Sequence, residues 1–378
     1  WLALTWAPEP PSPPRPPPPS TSPTTPPTTE VLAPRPVETP AERTGPPTVA
    51  RRLTVSTPVW RLAARPGAAQ VAAGCEDGRV RVWDVDTGDL VHAFDHAPEP
   101  RGDRRWVKAL AFSPDGAALV SGGADLALRR WDLTGPAPVL AAETRTLEDP
   151  CDAAFTPDGA RLAIAALDGT VLLLEARALS PLGLVASLGR PHGETVAWDP
   201  AGARCLITVT APGYPTGARW LIVDPEAART LREARVEEAI AAGVLPPPPA
   251  DRGWQLARAR FLDAEQVLVG VRNRTTLLLW DLRGAGVPIA LDPPEEVNAF
   301  EATRRYRGVA GVDVREDLVV TGTHGGLLLG WSLRDRRLRW WTQAHEGPAL
   351  CAVITPDGRR VVTAGADGEL VVWDLPGP

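Results

Sequence analysis

The sequence predicts an all-β protein, a seven-bladed β-propeller of four-stranded antiparallel blades, and three observations carry that prediction. A phrase recurs: "LVSGGADLALRRWDL" at 119–133 returns as "VVTAGADGELVVWDL" at 361–375, an apolar run, small residues, an Asp and, six residues on, Trp-Asp. Beyond residue 50 the chain consists of short Val, Leu, Ile and Ala runs punctuated by Pro-Asp-Gly or Asp-Gly, which is the texture of strands and tight turns. The Trp of the phrase also has counterparts throughout, at Trp83, Trp131, Leu174, Val223, Trp280, Trp331 and Trp373. They recur about every 42 to 57 residues, bracketing the roughly 40 to 45 that a four-stranded blade occupies.

Taken in order, the chain starts with "WLALTWA" at 1–7, which is too short to cross a bilayer. It resembles the end of a signal peptide or membrane helix, and an unstructured apolar scrap is the alternative. With Trp1 leading and no methionine in 378 residues, further sequence upstream is expected. Residues 8–49 are crowded with proline and lack apolar periodicity, so they read as a disordered linker. Extended polyproline at about 3.1 Å per residue lets such a stretch hold two objects roughly 100 Å apart.

The propeller is expected over 50–378. A turn introduces each of its seven units: "ARPGAAQVAAG" (64–74), "FSPDGAALVSG" (112–122), "FTPDGARLAIA" (155–165), "WDPAGARCLIT" (198–208), "FLDAEQVLVG" (261–270), "VREDLVVTG" (314–322) and "ITPDGRRVVTAG" (354–365). The longest interval, between Val223 and Trp280, accommodates an insertion at 225–256. Its helix formers followed by Gly243 and a proline run predict a short helix and a loop projecting between blades four and five. The chain ends just after the third strand of its last unit, so blade seven needs a strand from elsewhere. "ARRLTVST" at 50–57 is the expected latch, and closing the ring this way hides a sheet edge.

On these residues the chain resembles the WD-repeat β-propeller family over 50–378, most specifically in blades one, two, five and seven, each of which ends in Trp-Asp. The resemblance implies that a turn Asp, a strand Ser or Thr, a loop His and the strand Trp form a hydrogen-bonded brace within a blade. Blade seven offers His345, Thr363, Asp367 and Trp373; blade two offers Ser121, Asp125 and Trp131 with no matching His; blade one offers Asp77 and Trp83. Blade three keeps Asp168 but has Leu174 for Trp, and blades four to six lose the Asp, which leaves their edges open. All of these are structural residues, and none is assigned a catalytic role.

Function is less legible. The net charge is −6 with both signs mixed, which offers no basic field to a phosphate backbone and excludes nucleic acid as the expected partner. Cys75, Cys151, Cys205 and Cys351 each sit alone in apolar runs and read as small buried hydrophobes, and no cluster suggests a metal or cofactor. The carboxylates of "GCEDG" (74–78) and "DVDTGD" (84–89) read as turns, lacking the ligand count of a calcium loop.

In resembling proteins the working face is built from the loops leading into each first strand and the turns joining second to third strands. Transferred by position, the loop places hold Trp60, Trp106, Lys108, Asp149, His192, Glu194 and Gln255, and the turn places hold Glu76, Asn273, Arg274 and His324. Trp106, flanked by "RGDRR", is the leading anchor. One of Trp340 and Trp341 is expected to face outward as a contact on the rim.

The leading expectation is a monomeric, non-catalytic scaffold for protein or peptide partners, working for an upstream domain and meeting membrane only through an upstream segment. Its layout is similar to the C-terminal halves of modular bacterial signalling proteins, which leaves the compartment open between cytoplasm and the extracytoplasmic side of a membrane. Two alternatives stand: a hydrolase or sugar-acting enzyme with acidic or His side chains converging at the central channel, and a purely structural repeat.

Overall fold

The computed structural model describes residues 45–96, 105–188, 192–210, 217–248, 254–284, 287–304 and 308–376. The apolar segment at 1–7 and the proline-rich stretch up to residue 44 lie outside the described residues. Among the described residues, 28 strands form seven four-stranded antiparallel sheets. Six blades are consecutive in sequence, and their first strands contact one another around the ring, which makes them the innermost. These inner strands are Val59–Ala64, Val107–Phe112, Pro150–Phe155, His192–Trp198, Gln255–Phe261 and Val309–Arg315, with Ala349–Ile354 in blade seven.

Both faces of each inner and middle strand are covered by neighbouring blades, so these strands read as unbroken apolar runs rather than alternating ones. Ala118–Gly123, for example, is buried at every residue. The hydrophobic core accordingly divides into seven clusters, one in each seam between adjacent blades. Outer strands are mostly exposed instead, and they carry solvent-facing apolar side chains such as Leu90, Val139, Leu140 and Leu182.

Closure uses the N-terminal strand, Thr48–Thr54, which lies antiparallel beside Glu369–Asp374 as the outer strand of blade seven. Leu53 stands opposite Leu370, and Arg52 pairs with Glu369 at 2.8 Å. Arg51 donates to the Asp86 carbonyl at 2.7 Å, so the latch also grips blade one.

The segment after Asp224 departs from expectation. Arg229–Arg235, rich in helix formers, is the outer strand of blade four, and only Val236–Ala241 (α1) is helical. Cross-strand pairing with Arg219–Asp224 overrides local propensity because blade four has no other fourth strand. Nor does the helix project: Val236, Ala239 and Leu245 are buried in the seam between blades four and five. A second helix, Glu295–Ala302 (α2), unanticipated from the sequence, fills the connection from blade five to blade six.

Candidate partner interface at the channel mouth

All seven inner strands break register near their starts. The irregularities fall between Val59 and Arg61, Val107 and Ala109, Pro150 and Asp152, Gly193 and Thr195, Leu256 and Ala259, Val309 and Gly311, and Ala349 and Cys351. A bulge frees one residue from the ladder and re-aims its side chain. Trp60, Lys108, Cys151, Arg258, Ala310 and Leu350 are such residues, and together with Leu167, Arg272 and His324 they line a concavity of about 230 Å³. Bulge position thus decides which residue of blades one, two, three, five, six and seven reaches the mouth.

Three predicted face residues pack into one another there. The Lys108 ammonium lies 4.6 Å from the centre of the Trp60 ring and 4.5 Å from that of Trp106, and the two indoles meet edge to face at 6.4 Å. Cation–π attraction of this kind orients a lysine that would otherwise sample many rotamers. His324 lines the same concavity; burial, with the positive charge of Arg272 adding to it, pushes its imidazole down to about 4, so it is neutral at pH 7.

Below the mouth the channel is bridged by charge. Asp152 of blade three is fully buried and accepts from Arg61 of blade one, from Arg258 of blade five at 3.0 Å, and from the backbone N–H of Ala153 at 2.8 Å and of Val196 at 3.1 Å. Burial pushes its acidity toward the neutral form, but four N–H donors on two oxygens leave no place for a carboxyl proton, and the ionised form is the one this geometry holds. Asp313 of blade six accepts from the Ile354 N–H at 2.8 Å and interacts with Arg260. Asp152 and Asp313 thus stand on the inner strands of blades three and six, but neither lines the concavity at the mouth, where the enzymatic alternative expects acidic or His side chains to converge. Asp152 also has both oxygens committed to hydrogen bonds, which is the chemistry of a brace rather than of a general base.

Among the other predicted face residues, Asn273 and Arg274 stand apart from this group. Asn273, at a positive φ of 70°, and Arg274 line a separate concavity against α2, where Arg274 donates to Thr276 at 2.7 Å and to Asp292 at 3.2 Å. Glu76 is exposed on its turn, Asp149 is buried before blade three, and Gln255 opens the inner strand of blade five. His192 and Glu194 belong to the inner strand of blade four, and their side chains lie outside the described ones. Of the tryptophan pair, Trp340 is buried over Gly330, whose missing side chain makes room for the ring. Trp341 faces away but is not a free contact on the rim: α2 covers it through Phe300 at 6.3 Å and Glu296, which accepts from its indole at 3.3 Å.

The brace residues fall into a consistent geometry. In blade seven, Trp373 donates to Thr363 at 3.0 Å, Thr363 meets His345 Nε2 at 2.9 Å, and His345 Nδ1 meets Asp367 at 3.0 Å. Blade two repeats it with a histidine that the sequence reading missed: His96, at the end of blade one's outer strand, lies 2.7 Å from Ser121 and 3.3 Å from Asp125, while Trp131 donates to Ser121 at 2.7 Å. Burial pushes both imidazoles down, as the network needs, because an imidazole that accepts the hydroxyl proton while donating to Asp must be neutral. Burial opposes ionisation of Asp125, but His96 and Arg129 together hold its carboxyl well below the usual range.

Blade one lacks the hydroxyl, with Ala73 in its place, and Asp77 pairs with Arg81 at 2.6 Å instead. In blade six Trp331 still donates to Thr321 at 3.2 Å, while Glu301 of α2 accepts from Thr323 and from the Gly308 N–H at 3.0 Å. A carboxylate from an insertion thus supports the turn where blades two and seven use histidine. Its signal in sequence was no more than an acidic residue in an unassigned segment.

Among the described residues no group of three or more His, Cys, Asp or Glu is placed to hold a metal. The four cysteines are buried and unpaired by disulfides. Burial pushes the thiols of Cys75 and Cys351 up to about 11 and that of Cys205 to about 12, which leaves them inert.

Comparison with known proteins agrees with this architecture. Residues 49–84, 94–132 and 336–374 match the family described as WD domain, G-beta repeat. Each match takes in the third-strand Trp-Asp of blade one, two or seven, so three of the seven blades resemble WD repeats in sequence. The chain is 24% identical over 368 residues to Telomerase protein component 1 of Rattus norvegicus, covering 81% of this chain and 12% of that protein. It is 34% identical over 117 residues to Periodic tryptophan protein 2 homolog of Neurospora crassa, covering 29% and 12% respectively. WD repeat-containing protein VIP3 of Arabidopsis thaliana is 28% identical over 130 residues, covering 31% of this chain and 39% of that one. The chain therefore spans well under half the length of each of these relatives.

Proposed function

We propose that this chain is a non-catalytic protein-interaction module that presents the channel mouth, centred on Trp60, Trp106, Lys108 and His324, to a protein or peptide partner for a domain elsewhere in its polypeptide. The observation that carries this reading is the convergence of Trp60 and Lys108, both freed from the ladder by bulges, on one concavity, with Trp106 packed against them. Aromatic anchors of this kind dominate interface energetics. The WD40 fold and the absence of a metal-binding cluster among the described residues are consistent with such a scaffold.

Selection of a random peptide library on the full chain, counter-screened against Trp106→Ala, tests the proposal. Ligands that bind the wild type at least tenfold better than the variant are expected. A selection that returns only ligands indifferent to Trp106→Ala overturns the assignment of this face.

A further inference from the structure

Resting on that reading of the mouth, we infer that the mouth and the concavity beside α2 receive one ligand between them: an extended segment of a protein partner that places a polar, uncharged side chain against α2. The two openings adjoin along a single stretch of chain. Arg272, the last residue of the strand Gln266–Arg272, lines the mouth, and Asn273 and Arg274, which follow it, line the second concavity of about 360 Å³. At roughly 3.3 Å per residue, two to four residues of an extended ligand cover that interval.

Both openings are also built on one support. Gly308, at a φ of 88°, lies so close to blade five that a Cβ there would stand 2.5 Å from the backbone nitrogens of Asn273 and Arg274. Its N–H donates to Glu301 of α2 at 3.0 Å, and its carbonyl accepts from the backbone N–H of His324, a residue of the mouth, at 2.9 Å. α2, the turn of blade five and the wall of the mouth are thereby fixed relative to one another before any ligand arrives, which lowers the cost of ordering a complex that uses both openings.

The chemistry of the second opening follows from what its charges already do. Arg274 is paired with Asp292 at 3.2 Å, and the Glu301 carboxylate accepts from Thr323 and from Gly308. Apart from the exposed Glu295, the other lining residues are neutral, among them Asn273, Thr275, Asn298 and Ala299. An ionised ligand group of either sign would meet one of Arg274 and Glu295 with like charge and give up water to do so, whereas an amide or hydroxyl loses far less.

The test selects linear peptides of about twelve residues from a random library on the full chain and measures each binder against variants of both openings. Binders are expected to weaken at least tenfold on Trp106→Ala, at least tenfold on Ala299→Trp, which fills the second concavity from an exposed helix position, and threefold or more on Asn298→Asp. Alanine scanning of the binders is expected to find two anchors two to four residues apart, the one coupled to Asn298→Asp being Asn, Gln, Ser or Thr. Circular dichroism of each variant controls for folding, and Asn298→Asp decides alone if Ala299→Trp does not fold. Binders that lose affinity on Trp106→Ala but are indifferent to both α2 variants overturn the spanning segment and leave the face assignment standing. Binders that respond to the α2 variants only, binders with a charged anchor against α2, or no binders at all overturn the inference.

Discussion

Arg258 of blade five and Asp152 of blade three are joined at 3.0 Å with blade four between them, and Asp152 also receives Arg61 from blade one. Blades that share no seam are thereby tied through one carboxylate. Apolar packing acts only between neighbouring blades, so this bridge is a different kind of restraint on the ring.

Removing that carboxylate takes away the acceptor shared by the buried Arg61 and the half-buried Arg258. Asp152→Ala is expected to lower unfolding free energy by about 3–5 kcal/mol in guanidinium titrations. A loss under about 1 kcal/mol means that water or Asp313 compensates, and the bridge is then dispensable.

The two complete braces make a second prediction. Ser121→Ala and Thr363→Val each strip the hydroxyl that accepts from a buried indole and faces a buried imidazole, and each is expected to cost about 1–3 kcal/mol. Amide exchange should locate the damage in the altered blade, with faster exchange at Gly123–Ala127 for the first and Gly365–Glu369 for the second. Uniform acceleration around the ring contradicts a brace confined to one blade.

Acidification supplies a third. His96, His324 and His345 are held neutral by burial, with folded values below the unfolded 6.5. Between the two values the unfolded chain binds more protons, so stability is complete above about pH 6.5 and is lost as pH falls through the window below it. For His324 the window runs down to about 4 and corresponds to at most about 3 kcal/mol. Urea midpoints should fall between pH 7.5 and pH 5, and His324→Gln should flatten that slope; an unchanged slope means another group carries it.

Deleting residues 1–54 removes the latch strand and its Arg52–Glu369 pair, exposing the unpaired edge of Glu369–Asp374. Concentration-dependent association in size-exclusion chromatography is expected, as open strand edges recruit one another. A monomer as stable as the full chain would show that blade seven needs only three strands.

The seven blades and the source of the eighth-hour strand, the one arriving from the other end of the chain, were legible because repetition multiplies weak local signals: a turn, a small residue and a Trp recur together even where one is lost. The brace in blade two was only half legible. Its His96 comes just after the preceding blade's outer strand, 25 residues before Ser121, and nothing local marks it. Arg229–Arg235 was misread because helix propensity is local whereas the vacancy in blade four is not. At the mouth, Trp60, Lys108 and His324 could be placed by position, but Arg258 could not, since the bulge that frees it depends on ladder register, and neither could Arg272, which ends the next strand beside it. Asn273 and Arg274, in contrast, were drawn toward α2, an element with no regular apolar stripe to announce it.

The bulges at the inner strands separate two inheritances that a sheet normally ties together. A residue in the ladder answers to its partners on both sides, so altering it disturbs the blade; Trp60, Lys108, Cys151, Ala310 and Leu350 stand outside that obligation. The ring can keep its architecture while these positions drift, each blade contributing one letter to a short word written around the axis. Relatives built on the same scaffold can therefore differ in what they recognise by spelling that word differently.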